Sequence, residues 1–264
     1  MRAKKSYGQH FLTNEVYAER IANSLERTAA YDTLLEVGPG KGMLTKYLLQ
    51  RPETLYASEA DADMIEYLHL HYPELSERIL RGNFLRLDFR EHFGDRPFAI
   101  IGNFPYNISS QIVFKMLENR EQVPELVGMF QREMAERIIA PPGGKDYGVI
   151  SVLTQAYYSG TYLFTVKAGN FDPPPKVQSA VIRLERKENT RLNCSEKFFR
   201  TVVKTSFGQR RKMLRNTLKS LIPDKELLNH PIFTQRPERL SVEAFAELTR
   251  MIENARSQRS PTND

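Results

Sequence analysis

Residues 34–49 read LLEVGPGKGMLTKYLL. An apolar run, Thr33–Val37, meets three glycines at alternate positions, Gly38, Gly40 and Gly42, and a helical pattern begins at Leu44. Glycine adopts positive φ at little cost and lets a ligand approach the backbone, while the start of the following helix offers unpaired N–H groups. Spacing separates this loop from two familiar nucleotide loops. A dinucleotide fingerprint needs its third glycine one position later than Gly42. A phosphate loop needs Ser or Thr after its lysine, and Lys41 is followed by Gly42. Neither pattern fits.

The same alternation continues outward. Leu55–Ser58, Ile79–Arg81, Phe98–Ile101 and Leu126–Phe130 read as further strands. Helical spacing lies between them at Leu44–Leu49, Asp63–Tyr72, Ser109–Glu118 and Glu133–Ile139. This order predicts a parallel sheet covered by helices, an α/β fold. After a helical Val149–Ala156, Tyr162–Val166 and Ala180–Leu184 follow with no helix between them. They predict an antiparallel pair at the sheet edge, joined by the loop AGNFDPPPKVQS, which Pro173, Pro174 and Pro175 stiffen.

Beyond Glu188 the strands give way to helix-length segments: Glu196–Phe207, Arg210–Leu221, Asp224–Leu228 and Val242–Arg256. Ser241 is the expected N-cap of the last, and the closing SQRSPTND reads as a frayed tail. The expected organisation is an α/β domain over residues 1–187 and a small basic all-helical domain over 188–264.

Composition narrows the partners. The 264 residues are 41% hydrophobic and 27% charged, as in a soluble globular protein. No segment is apolar for long enough to span a bilayer, and the basic start MRAKKSYGQHFLTN lacks the apolar run of a signal peptide. The single cysteine, Cys194, excludes an intramolecular disulfide and a cysteine metal cage, and the five histidines are scattered. These features predict a cytoplasmic protein with no metal and no membrane partner. A monomer is the expected state. Charge is uneven: residues 1–187 hold 23 basic and 23 acidic side chains, against 15 and 9 in residues 188–264. Eight basic residues and no acidic one lie between Glu196 and Asp224, which points to a polyanion such as RNA.

Other loops share the carboxyl edge of the parallel strands, where open α/β sheets bind ligands. The strand before Glu59 ends in a carboxylate able to accept from both hydroxyls of a ribose. GNFLRLD brings Asn83 and Phe84, an acceptor and a ring for a base. GNFPYNIS follows the strand Phe98–Ile101. Pro105 has no N–H and biases Phe104 away from helix, so the strand stops there. The turn leaves the Asn103 amide, the Phe104 carbonyl and the Tyr106 ring together. Two acceptors in one turn suit an exocyclic amine such as that of adenine, whose two N–H bonds they can hold.

Glu36-x-Gly38-x-Gly40-x-Gly42 resembles motif I of class I S-adenosylmethionine-dependent methyltransferases. The chain as a whole is similar to the ribosomal RNA adenine N6,N6-dimethyltransferase family, most of all to its small-subunit (KsgA-type) members. The likeness runs through KKSYGQHFLTN, LEVGPGKG, GNFPYNIS, FDPPPKVQSAV and SFGQRRKMLRNTLK. It implies a Rossmann-like, seven-stranded, mostly parallel methyltransferase sheet with a small C-terminal helical domain. It implies S-adenosylmethionine as cofactor, bound by Gln9, His10, Leu12, Gly38, Gly40, Glu59, Asn83, Phe84 and Asn103. Asn103, Phe104, Pro105 and Tyr106 form the implied catalytic turn. Phe171 flanks the target base, and Arg210, Arg211, Lys212 and Arg215 contact RNA. The implied reaction dimethylates two adjacent adenosines in the 3′-terminal hairpin of small-subunit ribosomal RNA, coupled to ribosome assembly. The alternatives are a noncatalytic RNA-binding assembly factor and a large-subunit enzyme of the antibiotic-resistance type. Three positions depart from the family pattern: His10 for Asn, Asn83 for Asp, and Phe104 for Leu or Ile.

Overall fold

A computed structural model describes residues 9–223 and 225–258. The chain divides into two compact units. One holds the described residues up to Glu136 together with Tyr158–Arg186; the other holds Arg137–Tyr157 and the described residues from Lys187 onward.

The first unit begins with a two-residue strand β1 (Phe11–Leu12) and helix α1 (Glu15–Ala22). Asn14 caps α1 by accepting from the Val16 N–H at 3.0 Å. The chain then alternates: β2 (Thr33–Val37), α2 (Thr45–Leu48), β3 (Thr54–Glu59), α3 (Ala62–His71), β4 (Ile79–Arg81), α4 (Phe89–Phe93), β5 (Ala99–Asn103), α5 (Ser109–Glu118), β6 (Glu125–Gln131) and α6 (Arg132–Ile138). After α7 (Val149–Gln155), the strands β7 (Tyr158–Val166), β8 (Phe171–Asp172) and β9 (Ser179–Arg186) complete this unit.

Seven strands form one sheet in the order β4-β3-β2-β5-β6-β9-β7. Every residue of β2 is buried, as expected of a central parallel strand covered on both faces. β9 runs antiparallel to both neighbours and inserts between β6 and β7, so the expected edge pair is present. β3 lies on one side of β2 and β5 on the other, so the loops leaving β2 and β5 part and open a crevice. At the opposite end of the sheet, the buried Glu125 accepts from the Glu26 and Arg27 N–H groups and from the Tyr31 hydroxyl at 2.6 Å. That cluster ties the chain entering β2 to β6.

The second unit packs α7, α8 (Glu196–Phe207), α9 (Leu214–Thr217) and α10 (Val242–Ser257) around Phe199, Val202, Leu214, Phe233, Phe245 and Leu248, all buried. Ser195 and Ser241 cap α8 and α10.

Three expectations need correction. Residues 137–157 group with this second unit rather than with the sheet. The Tyr147 ring is buried edge-on to Phe207, at 6.2 Å between centroids, and Val152 and Leu153 of α7 are buried. Arg210–Leu221 is not one helix. Gly208 closes α8, Gln209–Lys212 forms a turn, Met213 is extended, and only Leu214–Thr217 is helical. The Asp224–Leu228 helix is a 3₁₀ segment, Lys225–Asn229, with Asp224 outside the described residues. Residues 4–8 of the KKSYGQHFLTN motif and residues 259–264 of the expected tail also lie outside them. Among the described residues no helix is long and apolar enough to cross a membrane.

Candidate active site

The glycine loop is shaped for close approach. Gly40 has φ +54°, and a Cβ there would meet the Phe11 ring at 2.8 Å. Gly42 has φ +76°, and its Cβ would meet the Tyr72 ring at 2.2 Å. An L side chain is thus excluded at both positions by backbone and by neighbour.

Glu59, at the end of β3, sits across from this loop. Its carboxylate accepts from the Gly40 N–H at 3.1 Å and from the Ala60 and Asp61 N–H groups at 2.9 Å. Burial raises its pKa, and those three bonds oppose the rise. Glu36, at the root of the loop, is buried more completely. Loss of water pushes its pKa up to about 8, against the pull of the Thr45 hydroxyl that donates to it at 2.7 Å.

The segment ahead of α1 forms a third wall. β1 pairs antiparallel with β8, Leu12 facing Phe171 and Phe11 facing Asp172. Thr13 N–H donates to the Asn170 carbonyl at 2.9 Å, and Gln9 donates to Asp61 at 3.0 Å. Lys41 lies 5.0 Å over the Phe11 ring.

β5 delivers the fourth wall. Phe104 is anchored by its ring, which fills the space left by Gly128 and meets Phe130 edge-on at 5.1 Å. Its carbonyl accepts no hydrogen bond among the described residues. Asn103 Nδ2 donates to the His10 carbonyl at 2.9 Å. A carbonyl can only accept, so the amide orientation follows, and Asn103 Oδ1 is left without a partner among the described residues. His10 Nδ1 donates to the Pro173 carbonyl at 2.8 Å, and the imidazole stacks on Tyr106 at 5.2 Å. The Tyr106 hydroxyl is held by Ser179 Oγ at 2.6 Å, while burial raises its pKa.

These walls enclose a cavity of about 310 Å³, a size suited to a small organic ligand. Of the expected site residues, Gln9, His10, Gly38, Gly40, Glu59, Asn83, Phe84, Asn103, Phe104, Pro105 and Tyr106 all line it. Asn83 already caps Leu85 N–H at 2.9 Å through Oδ1, and the Phe84 ring is buried beside it. The other six expected residues do not line it. Leu12 faces a neighbouring cavity of about 350 Å³ that also touches Glu36, Gly38 and Asn103. Phe171 is 4% exposed, and its side chain packs in the hydrophobic core. Arg210, Arg211, Lys212 and Arg215 belong to the second unit. There Arg210 donates to the carbonyls of Gly144, at 2.8 Å, and Lys145, so it braces a loop. Arg211, Lys212 and Arg215 are exposed.

Sequence pattern does not single out Phe11, Ser58, Asp61 or Ser179. Phe11 is within its reach, since it lies between His10 and Leu12 in the KKSYGQHFLTN motif. Ser58 gives a direct test of fit: its hydroxyl is buried at the cavity wall with no hydrogen-bond partner, as a site awaiting a polar ligand requires. Among the described residues no group of His, Cys, Asp and Glu could hold a metal ion.

The ribosomal RNA adenine dimethylase family model matches residues 1–255. The chain belongs to that family. It is therefore a methyltransferase, with S-adenosylmethionine as its methyl donor. Among curated relatives, the ribosomal RNA small subunit methyltransferase A of Flavobacterium johnsoniae is 53% identical over 96% of this chain and 97% of its own. That of Porphyromonas gingivalis is 51% identical over 96% and 98%. Two solved structures share the fold at 22% identity. A dimethyladenosine transferase from Plasmodium falciparum has a TM-score of 0.77 over 93% of this chain and 98% of its own. The 23S rRNA methyltransferase ErmE has a TM-score of 0.68 over 92% and 99%. The expected fold class, a class I methyltransferase sheet with a helical C-terminal part, agrees with both.

Proposed function

We propose that this enzyme dimethylates N6 of two adjacent adenosines in the 3′-terminal hairpin of small-subunit ribosomal RNA. One observation carries the chemistry: Asn103 Oδ1 and the Phe104 carbonyl, both without partners among the described residues, belong to the turn that lines the cavity. The names of the close relatives support the choice of RNA.

The amine of adenine is a weak nucleophile because its lone pair is delocalised into the ring. Asn103 Oδ1 and the Phe104 carbonyl accept its two N–H bonds. Their pull favours a pyramidal nitrogen, aims the lone pair away from both acceptors and stabilises the positive charge that grows on N6. When bound, S-adenosylmethionine would supply the methyl group; Glu59 would hold its ribose, and Asn83 and Phe84 its adenine. Tyr106 offers the target base the ring face opposite His10, the other being covered by the imidazole stack. The methylated amine then loses an acidic proton to solvent, so no strong base is required. Arg211, Lys212 and Arg215 supply exposed positive charge for the RNA backbone. The substrate implies a cytoplasmic setting.

The test is mass spectrometry of small-subunit RNA, naked and in unmethylated subunits, after incubation with the protein and labelled S-adenosylmethionine. Two neighbouring dimethyladenosines are expected. Label confined to large-subunit RNA, or absent altogether, would overturn this reading.

A further inference from the structure

A further concave surface lies on the rim that carries the Asn103–Tyr106 turn. It is a cleft of about 250 Å³ lined by Gln131, Arg132, Glu133, Val177 and Gln178, all from the sheet-bearing unit. Register fixes its position. Gln131 pairs with Ser179 across β6 and β9, and Ser179 Oγ holds the Tyr106 hydroxyl at 2.6 Å. Gln178 is thus one residue from the group that sets the target-base platform.

The guanidinium of Arg132 is held in a defined plane. Its Nε donates to Glu136 at 2.7 Å and its Nη1 to Gln178 Oε1 at 3.0 Å, while the Arg132 N–H donates to the Gln178 carbonyl at 2.9 Å. The side chain remains 49% exposed. Val177, 42% exposed, adds an apolar surface. Glu133 and Glu136 offset the arginine charge, so the cleft is a poor seat for a phosphate. A flat, oriented guanidinium beside an apolar side chain and a primary amide suits an uncharged ring with polar edges. Unpaired RNA bases stack on arginine planes in this manner.

We infer that the Arg132–Gln178 cleft takes the base next to the target adenosine, with Arg132 as its stacking platform and Gln178 at its edge. This rests on the proposed RNA substrate and adds a subsite to it. A target base drawn out of its stack leaves its neighbour without a partner, and the cleft gives that neighbour a surface beside Tyr106.

The experiment measures binding of wild type and Arg132→Ala to small-subunit RNA, with an intact or abasic nucleotide on either side of the target. S-adenosylhomocysteine binding and circular dichroism verify folding. On one side, the abasic RNA and the substitution are each expected to weaken binding about tenfold, and together no more than either alone. Arg132→Lys keeps the charge without the plane and is expected to behave as Arg132→Ala. Multiplying losses, wild-type binding by Arg132→Ala, or full rescue by lysine would overturn the inference. Failure of the wild-type protein to methylate this RNA at all would instead overturn the functional reading above.

Discussion

The side-chain amide of Asn103 donates to the backbone carbonyl of His10 at 2.9 Å, so the Asn103–Tyr106 turn takes its orientation from the segment ahead of α1. Asn103→Ala removes an acceptor for the target amine and leaves the His10 carbonyl unpaired. Single-turnover methyl transfer is expected to fall about 10²-fold, the scale of losing one preorganised group at a reacting centre. Affinity for S-adenosylhomocysteine, measured by calorimetry, should change far less. Equal losses in both would show Asn103 to be a binding residue alone.

Glu59→Ala removes the proposed ribose acceptor and also leaves the N–H groups of Gly40, Ala60 and Asp61 without their partner. Weakening of S-adenosylhomocysteine binding by roughly 1–3 kcal/mol is expected, about five- to 150-fold in Kd. Calorimetry checks it; an unchanged Kd would place the ribose elsewhere.

Glu36 makes stability depend on pH. Burial holds its pKa at about 8 in the folded chain, against 4.5 for a free glutamate. The folded state therefore keeps a proton that the unfolded chain has released between these values. The associated stability is present below about pH 4.5 and is lost as pH rises through 8. Glu36→Gln keeps an acceptor for Thr45 and cannot ionise. Relative to wild type it should gain roughly 2–4 kcal/mol between pH 5 and pH 9, read from urea unfolding at each pH. A difference that does not vary with pH would mean that Glu36 stays ionised or is solvated in solution.

Arg211, Lys212 and Arg215 are exposed, whereas Arg210 braces residues 144 and 145. Replacing the three exposed residues with Gln should flatten the log–log salt dependence of RNA binding. The expected change is about 0.7–0.9 in slope for each phosphate no longer neutralised. Arg210→Gln should instead lower the unfolding midpoint of the second unit. An unchanged slope in the triple variant would remove this segment from the RNA interface.

The parts of the fold legible in the sequence are those written in local pattern. β2 and its glycine loop follow from an apolar run and three spaced glycines, and the turn after β5 from the placement of Pro105. The parts that escape it depend on distant partners. A two-residue strand such as β1 has no periodicity to detect, and its pairing with β8 joins Leu12 to the far-removed Phe171. That pairing takes Phe171 into the core. Helical spacing over Arg210–Leu221 holds at Leu214–Thr217, but it carries no sign of the backbone turn at Gln209–Lys212 or of the carbonyls that receive Arg210. Chain order alone puts residues 137–157 with the sheet, whereas burial of Tyr147 against Phe207 groups them with the helices.

The β1–β8 ribbon has a logical consequence for the catalytic cycle. Residues 9–14 set the Phe11 ring against Gly40, join Gln9 to Asp61 and supply the carbonyl that aims Asn103. In the proposed reaction, donor capture and acceptor alignment both draw on this one segment. Displacing that short strand breaks the Gln9–Asp61 bond, the Phe11–Gly40 contact and the Asn103–His10 bond together. On the proposed roles, a truncation that removes these residues is expected to lower donor affinity and methyl transfer together, so it does not apportion the loss between them.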